Sequence, residues 1–132
     1  MKYLRFVYGE PIYGVGFRAG ILDAAYHLRD DELVNSVSRK ILAEHLTWFS
    51  ENLPVPTKFT RASSKGAANR NTKGLSWFKS TASEQIARAF AVMDVLKQHA
   101  VATEVLRTSR VGYIVFEDDF QIVAEPFSDT PT

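Results

Sequence analysis

The sequence contains no cysteine among its 132 residues, and this absence excludes several kinds of chemistry. Without thiols the chain has no disulfide, no cysteine nucleophile and no thiolate zinc site. It also lacks any apolar run of the roughly 18 residues that a membrane-spanning helix needs. Charges interrupt the N-terminal apolar residues before the core of a signal peptide develops. We therefore expect a cytoplasmic protein with no membrane segment.

Charge of one sign is missing from two stretches of the chain. Residues 54–79 contain six basic residues and no acid, whereas residues 111–132 contain five acids and no base. The other ten basic and ten acidic residues balance, so the net charge of +1 conceals two opposed regions. Such an asymmetry concerns the partners of a protein and not its fold.

Hydrophobic periodicity predicts the elements of the N-terminal half. Alternating residues predict a strand over about residues 3–8, and steps of three and four predict a helix over about residues 17–29. A second, longer helix begins after a cap at Asp30 or Asp31 and ends at Pro54, which cannot donate the next hydrogen bond. Its predicted apolar stripe consists of Val34, Val37, Ile41, Leu42, Phe49 and Leu53.

The C-terminal half is predicted as one helix followed by three strands. The helix covers about residues 82–99, and the strands cover about residues 101–107, 112–116 and 120–125. Strands joined by short links favour an antiparallel meander, and helices grouped upstream favour two layers. We therefore predict a single α+β domain over residues 1–132, whose antiparallel sheet of the N-terminal strand and a C-terminal three-stranded meander packs against about three helices. A doubly wound α/β fold is the alternative.

The basic stretch at about residues 54–79 is predicted as a long loop, and loops of this length are usually functional or disordered. Cations that neutralise phosphates, with aromatic rings that stack on bases, are typical of single-strand nucleic-acid binding. The candidate contacts to nucleic acid or another anion are Lys58, Arg61, Lys65, Arg70, Lys73, Trp77 and Lys79. In the alternative interpretation Trp77 is a core residue, and the loop is simply solvated or pairs with the acidic region of another copy.

Two patterns raise the alternative of a small enzyme. The glycines at Gly14 and Gly16 partly match a dinucleotide-binding loop, but no second strand follows the predicted helix. Asp23, His27 and Asp30 would share one helix face, where a histidine and carboxylates share a proton or bind a metal. A solvated helix surface is the more common meaning of that spacing. The adjacent acids at residues 117–119 favour a hairpin turn over a cation site.

These observations favour a small non-catalytic binding module whose basic loop contacts an anionic partner, with nucleic acid as the leading candidate. One alternative is a protein-interaction or regulatory module that docks an acidic protein surface or forms a homo-oligomer. A nucleotide- or metal-dependent enzyme is the further alternative. For the binding module we expect no cofactor and no metal.

Overall fold

The structure is a computed structural model that describes residues 1–53 and 74–132. Within these ranges the chain forms three α-helices and six β-strands. In chain order they are β1 (Tyr3–Tyr8), β2 (Ala19–Gly20), α1 (Ile21–Arg29), α2 (Ser36–Asn52), β3 (Leu75–Lys79), α3 (Ser83–Gln98), β4 (Thr103–Thr108), β5 (Tyr113–Glu117) and β6 (Gln121–Glu125).

The strands form one open antiparallel sheet in the order β2-β1-β3-β6-β5, and β4 pairs with β1. This arrangement confirms the predicted α+β two-layer fold, in which the N-terminal strand shares a sheet with the C-terminal strands. Two strands were not predicted. The first is β2, which is only two residues long, and the second is β3, which is inserted between β1 and β6. Among the C-terminal strands, β5 and β6 are neighbours, whereas β4 lies beside β1.

The contacts of the chain divide it into two compact units. The first unit comprises Met1–Arg5, Val55–Ser83 and Leu106–Thr132, and the second comprises Phe6–Pro54 and Glu84–Val105. No helix within residues 1–53 and 74–132 is both long enough and apolar enough to cross a membrane.

The core of the first unit is built from β3 and β6. All five residues of β6 are buried, and Trp77 pairs directly with Ile122 across the two strands. Burial alternates along β3: Leu75 and Trp77 are buried, and Ser76 between them is exposed. The predicted loop at 54–79 is therefore wrong for its last five residues, because this short period-two pattern belongs to a central strand.

A glycine fixes the start of β5 in the same unit. Gly112 has a φ of 117° and lies where a Cβ would be 1.9 Å from the carbonyl oxygen of Glu125. Only glycine permits both this backbone conformation and this close approach of two strands. The hairpin of β5 and β6 consequently depends on a residue that contributes no side chain.

The second unit contains the helix pair α1 and α2. α1 begins at Ile21, four residues after the predicted start, because residues 19 and 20 pair with β1 as β2. α2 begins after Asn35, whose side chain accepts a 2.8 Å hydrogen bond from the amide of Ser38. The predicted cap at Asp30 or Asp31 is wrong, since the carboxylate of Asp31 instead accepts a 2.9 Å hydrogen bond from the amide of Leu33 in the preceding turn.

The buried face of α2 also differs from the predicted stripe. Ser38, Leu42, Leu46 and Phe49 are buried, whereas Val37 and Ile41 are exposed. A helix turns by about 100° per residue, so two adjacent apolar positions cannot both lie at the centre of one buried face. Leu42 occupies that position, and Ile41 is turned toward solvent.

Candidate functional site

The predicted binding residues lie partly outside the described ranges. Lys58, Arg61, Lys65, Arg70 and Lys73 fall between residues 53 and 74, so their prediction as anion contacts is carried by the sequence alone. The other two, Trp77 and Lys79, belong to β3. The structure thus shows the surroundings of only these two candidates.

Trp77 is a core residue, as the alternative interpretation of the sequence had it. Its side chain is 1% exposed, so neither face of the indole ring is available to stack on a base. Within the described residues the buried indole nitrogen has no hydrogen-bond partner. Trp77 is therefore withdrawn from the binding residues, because burial of the ring in the sheet excludes contact with a ligand at the surface.

Lys79 forms an ion pair within its own unit. Its ammonium nitrogen lies 2.5 Å from a carboxylate oxygen of Glu117, and only 15% of its side chain is exposed. The hydrogen bond to Glu117 raises the pKa of Lys79 above its ordinary value despite the opposing effect of burial. Lys79 is thus charged, but its charge is shared with a carboxylate on β5 rather than presented to a partner.

The acidic C-terminal region is also largely engaged by its own unit. Asp118 closes the β5–β6 turn by accepting hydrogen bonds of 2.8 Å and 2.9 Å from the amides of Phe120 and Gln121. Asp129 forms an ion pair of 3.4 Å with Arg110, and Glu125 is buried at the end of β6. The predicted hairpin turn is confirmed at Asp118 and Asp119, whereas Glu117 is the last residue of β5. Asp119 is exposed, and the side chains of Glu117 and Asp129 remain 50% and 63% exposed beside their ion-pair partners.

A cluster of polar side chains in the second unit includes Asp23 and His27, two of the three residues predicted to share a helix face. Asp23 and His27 approach to 3.6 Å, and the hydroxyl of Tyr8 on β1 donates to the carboxylate of Asp23. This hydrogen bond, with burial and the negative charge of Asp23, raises the pKa of Tyr8 to about 12. Sequence reasoning missed Tyr8, because nothing in the local pattern connects β1 with α1.

Asp30 does not join that cluster. Its carboxylate pairs with the guanidinium of Arg29 at 2.9 Å, and this pairing lowers the pKa of Asp30. Within residues 1–53 and 74–132, no three histidine or carboxylate side chains are grouped so that they could hold a metal ion. The described residues thus give no support to the metal-dependent alternative.

The glycine pattern lies in the tight connection between β1 and β2. The amide of Ile12 donates to the carbonyl of Phe17 at 2.9 Å, and Gly14 and Gly16 adopt φ values of 85° and 78°. A dinucleotide-binding loop would instead join a strand directly to the N-terminus of a helix. Here β2 intervenes and pairs antiparallel with β1, so the glycines permit a turn and do not create that phosphate-binding geometry.

Comparison of the chain with protein-family models, with curated proteins and with solved structures finds no match in any of the three.

Proposed function

We propose that the chain is a small non-catalytic binding module whose basic segment contacts an anionic partner, with single-stranded nucleic acid as the leading candidate. We define the basic segment by its five cations, Lys58, Arg61, Lys65, Arg70 and Lys73, which are separated by no acid. With Lys79 paired and Trp77 buried, these five cations are the ones that remain from the predicted set.

The observation that supports an external partner is the engagement of the acidic C-terminal region. If the basic segment paired with that region of another copy, Glu117, Asp118 and Asp129 would have to share their carboxylates with contacts that they already make. A carboxylate that is already paired attracts a second cation less strongly than a free one does, so this pairing would gain less. A polyanion from outside the chain meets no such competition.

The phosphate backbone is the polyanion that fits a row of cations best, because every neutralised phosphate releases counterions and adds to affinity. Trp77 no longer supplies a stacking ring, and Phe59 is the aromatic residue that lies within the basic segment. Stacking on a base adds about 1–3 kcal/mol in single-strand binding. We therefore expect Phe59 to favour single strands over duplexes.

Fluorescence anisotropy of labelled oligonucleotides tests the proposal. One variant carries Lys65→Ala, Arg70→Ala and Lys73→Ala, and its control carries Lys2→Ala, Lys97→Ala and Arg107→Ala, which removes the same charge from exposed sites elsewhere. The basic-segment variant should bind weakly. The slope of log affinity against log salt concentration should become shallower by about 2, since each lost phosphate contact removes roughly 0.7 from it. Equal losses in both variants would mean that binding follows net charge alone and would contradict the proposal.

An acidic protein surface is the competing partner, and Phe59 separates the two. Phe59→Ala should weaken binding to a single-stranded oligonucleotide while leaving binding to polyglutamate unchanged, because a carboxylate chain offers no base to stack. If both ligands lose affinity equally, or polyglutamate binds more tightly than the oligonucleotide, the acidic protein partner is favoured instead.

A further inference from the structure

The outward face of α2 carries apolar residues that the fold leaves exposed. Leu33, just before the helix, is 95% exposed, Val37 is 68% exposed, and Ile41 is 37% exposed. Val37 and Ile41 are one helical turn apart on α2, and Leu33 lies in the turn that precedes the helix. Contiguous apolar surface of this kind marks sites of contact with another molecule more often than single exposed residues do.

The core does not account for these residues. At adjacent positions near the start of α2, the polar Ser38 is buried while the apolar Val37 faces solvent. β-branched residues such as valine and isoleucine also lose side-chain freedom in a helix, so they are poor choices for a helix surface that stays in water. Burial of Val37 and Ile41 against a partner would offset that cost.

The charges beside this stripe are arranged with opposite signs along the helix. Lys40 lies in the first part of α2, and Glu44 lies one turn later; both are exposed. Neither forms an ion pair of 4.0 Å or less with any residue in the described part of the chain. If a second copy of α2 lay antiparallel to the first, the lysine of each helix would therefore face the glutamate of the other.

We propose that this outward face of α2 binds the same face of a second copy of the chain, with the two helices antiparallel about a two-fold axis that crosses α2 midway between Lys40 and Glu44. Such an isologous contact brings Lys40 of each copy opposite Glu44 of the other. The parallel arrangement would oppose lysine to lysine and glutamate to glutamate, which is repulsive. The sequence of charges along α2 thus selects the antiparallel dimer.

The same axis pairs the apolar residues. Ile41 of each copy meets Ile41 of the other near the axis, and Val37 lies opposite Trp48 of the second copy. The ring of Trp48 is half-buried and is held by the guanidinium of Arg88, which lies 4.3 Å from the ring centroid. Aromatic residues fixed in this way are typical anchors of protein interfaces. This dimer involves neither the basic segment nor its ligand.

Sedimentation measurements over a range of concentrations, with no anionic ligand present, test the proposal by a charge exchange. Lys40→Glu and Glu44→Lys should each raise the dimer Kd by about tenfold, because one substitution turns two attractive contacts of a symmetric dimer into repulsive ones. The double variant Lys40→Glu with Glu44→Lys should restore dimerisation, since the opposite charges face each other again.

Lys97→Glu on α3 serves as the matched control and should leave the dimer Kd unchanged. Thermal unfolding at the lowest concentration checks that each variant still folds. A wild-type chain that remains monomeric at every concentration would overturn the proposal, and so would a double variant that dimerises no better than the single variants. These results leave oligonucleotide binding by the basic segment untouched.

Discussion

The β5–β6 hairpin and the helix α2 use their charged and apolar residues in opposite ways. In the hairpin, Asp118 closes the turn, Glu117 pairs with Lys79, and apolar residues of β6 such as Ile122 are buried. On α2, Val37 and Ile41 are exposed, and Lys40 has no ion pair within the described residues. The turn and β6 are thus committed to the fold, although Tyr113 and Ile114 of β5 are exposed, whereas Lys40, Val37 and Ile41 of α2 are available to a partner.

The largest expected difference in the free energy of unfolding comes from the same substitution, isoleucine to alanine, made in both regions. Ile122→Ala in β6 should lower the free energy of unfolding by about 2–5 kcal/mol, because it empties a fully buried position. Ile41→Ala on α2 should change it by less than about 1 kcal/mol under monomeric conditions, since that side chain is exposed. Chemical denaturation of the two variants measures both values. Equal destabilisation would break the contrast.

A smaller difference in the free energy of unfolding is expected between alanine substitutions at two neighbouring acids of the hairpin. Asp118→Ala should cost about 1–2 kcal/mol, because it leaves the amides of Phe120 and Gln121 without their acceptor. Asp119→Ala at the adjacent exposed position should cost less than about 0.5 kcal/mol. Denaturant midpoints of the two variants compare them directly. A larger loss for Asp119→Ala would show that the turn is held by a different carboxylate.

The smallest expected effect on stability comes from His45 on α2, whose protonation in acid destabilises the folded state. Burial, followed by the positive charge of Arg88, lowers the pKa of His45 below its ordinary value. The folded state therefore binds this proton less tightly than the unfolded state, whose histidine has a pKa near about 6.5. The free energy of unfolding should therefore fall as the pH drops below about 6.5. Above that pH His45 is neutral in both states, and its destabilising effect is absent.

His45→Gln should reduce this loss of stability in acid, as followed by melting temperature at neutral and mildly acidic pH. His99→Gln, at a histidine that forms no ion pair within the described residues, is the matched control and should keep the acid sensitivity of the wild type. The account of His45 fails if the two variants respond to acid identically.

Much of the fold could be predicted from the sequence because long elements repeat their pattern several times. The first strand, the long helices and the three C-terminal strands all show enough turns or alternations to be recognised. β2 has only two residues, so it has no periodicity to detect. β3 follows the basic stretch directly, and the composition of that stretch obscured the alternation of Leu75, Ser76 and Trp77.

The candidate sites were harder to predict because they depend on contacts between distant residues. The ion pair of Lys79 and Glu117 and the hydrogen bond of Tyr8 to Asp23 join residues on different elements, which local spacing does not reveal. The exposure of Ile41 depends on the rotational phase of α2, and the adjacent apolar residues Ile41 and Leu42 leave that phase open in the sequence.

Amide chemical shifts recorded during titration with a short oligothymidine test most directly whether the basic segment is the binding surface. We expect the largest shift changes on residues 58–73, and we expect the amides of the β5–β6 hairpin, including Asp118 and Glu125, to stay almost unchanged. Largest changes at the hairpin, or on the connection between β1 and β2, would contradict the account, as would a titration that changes no amide at low salt.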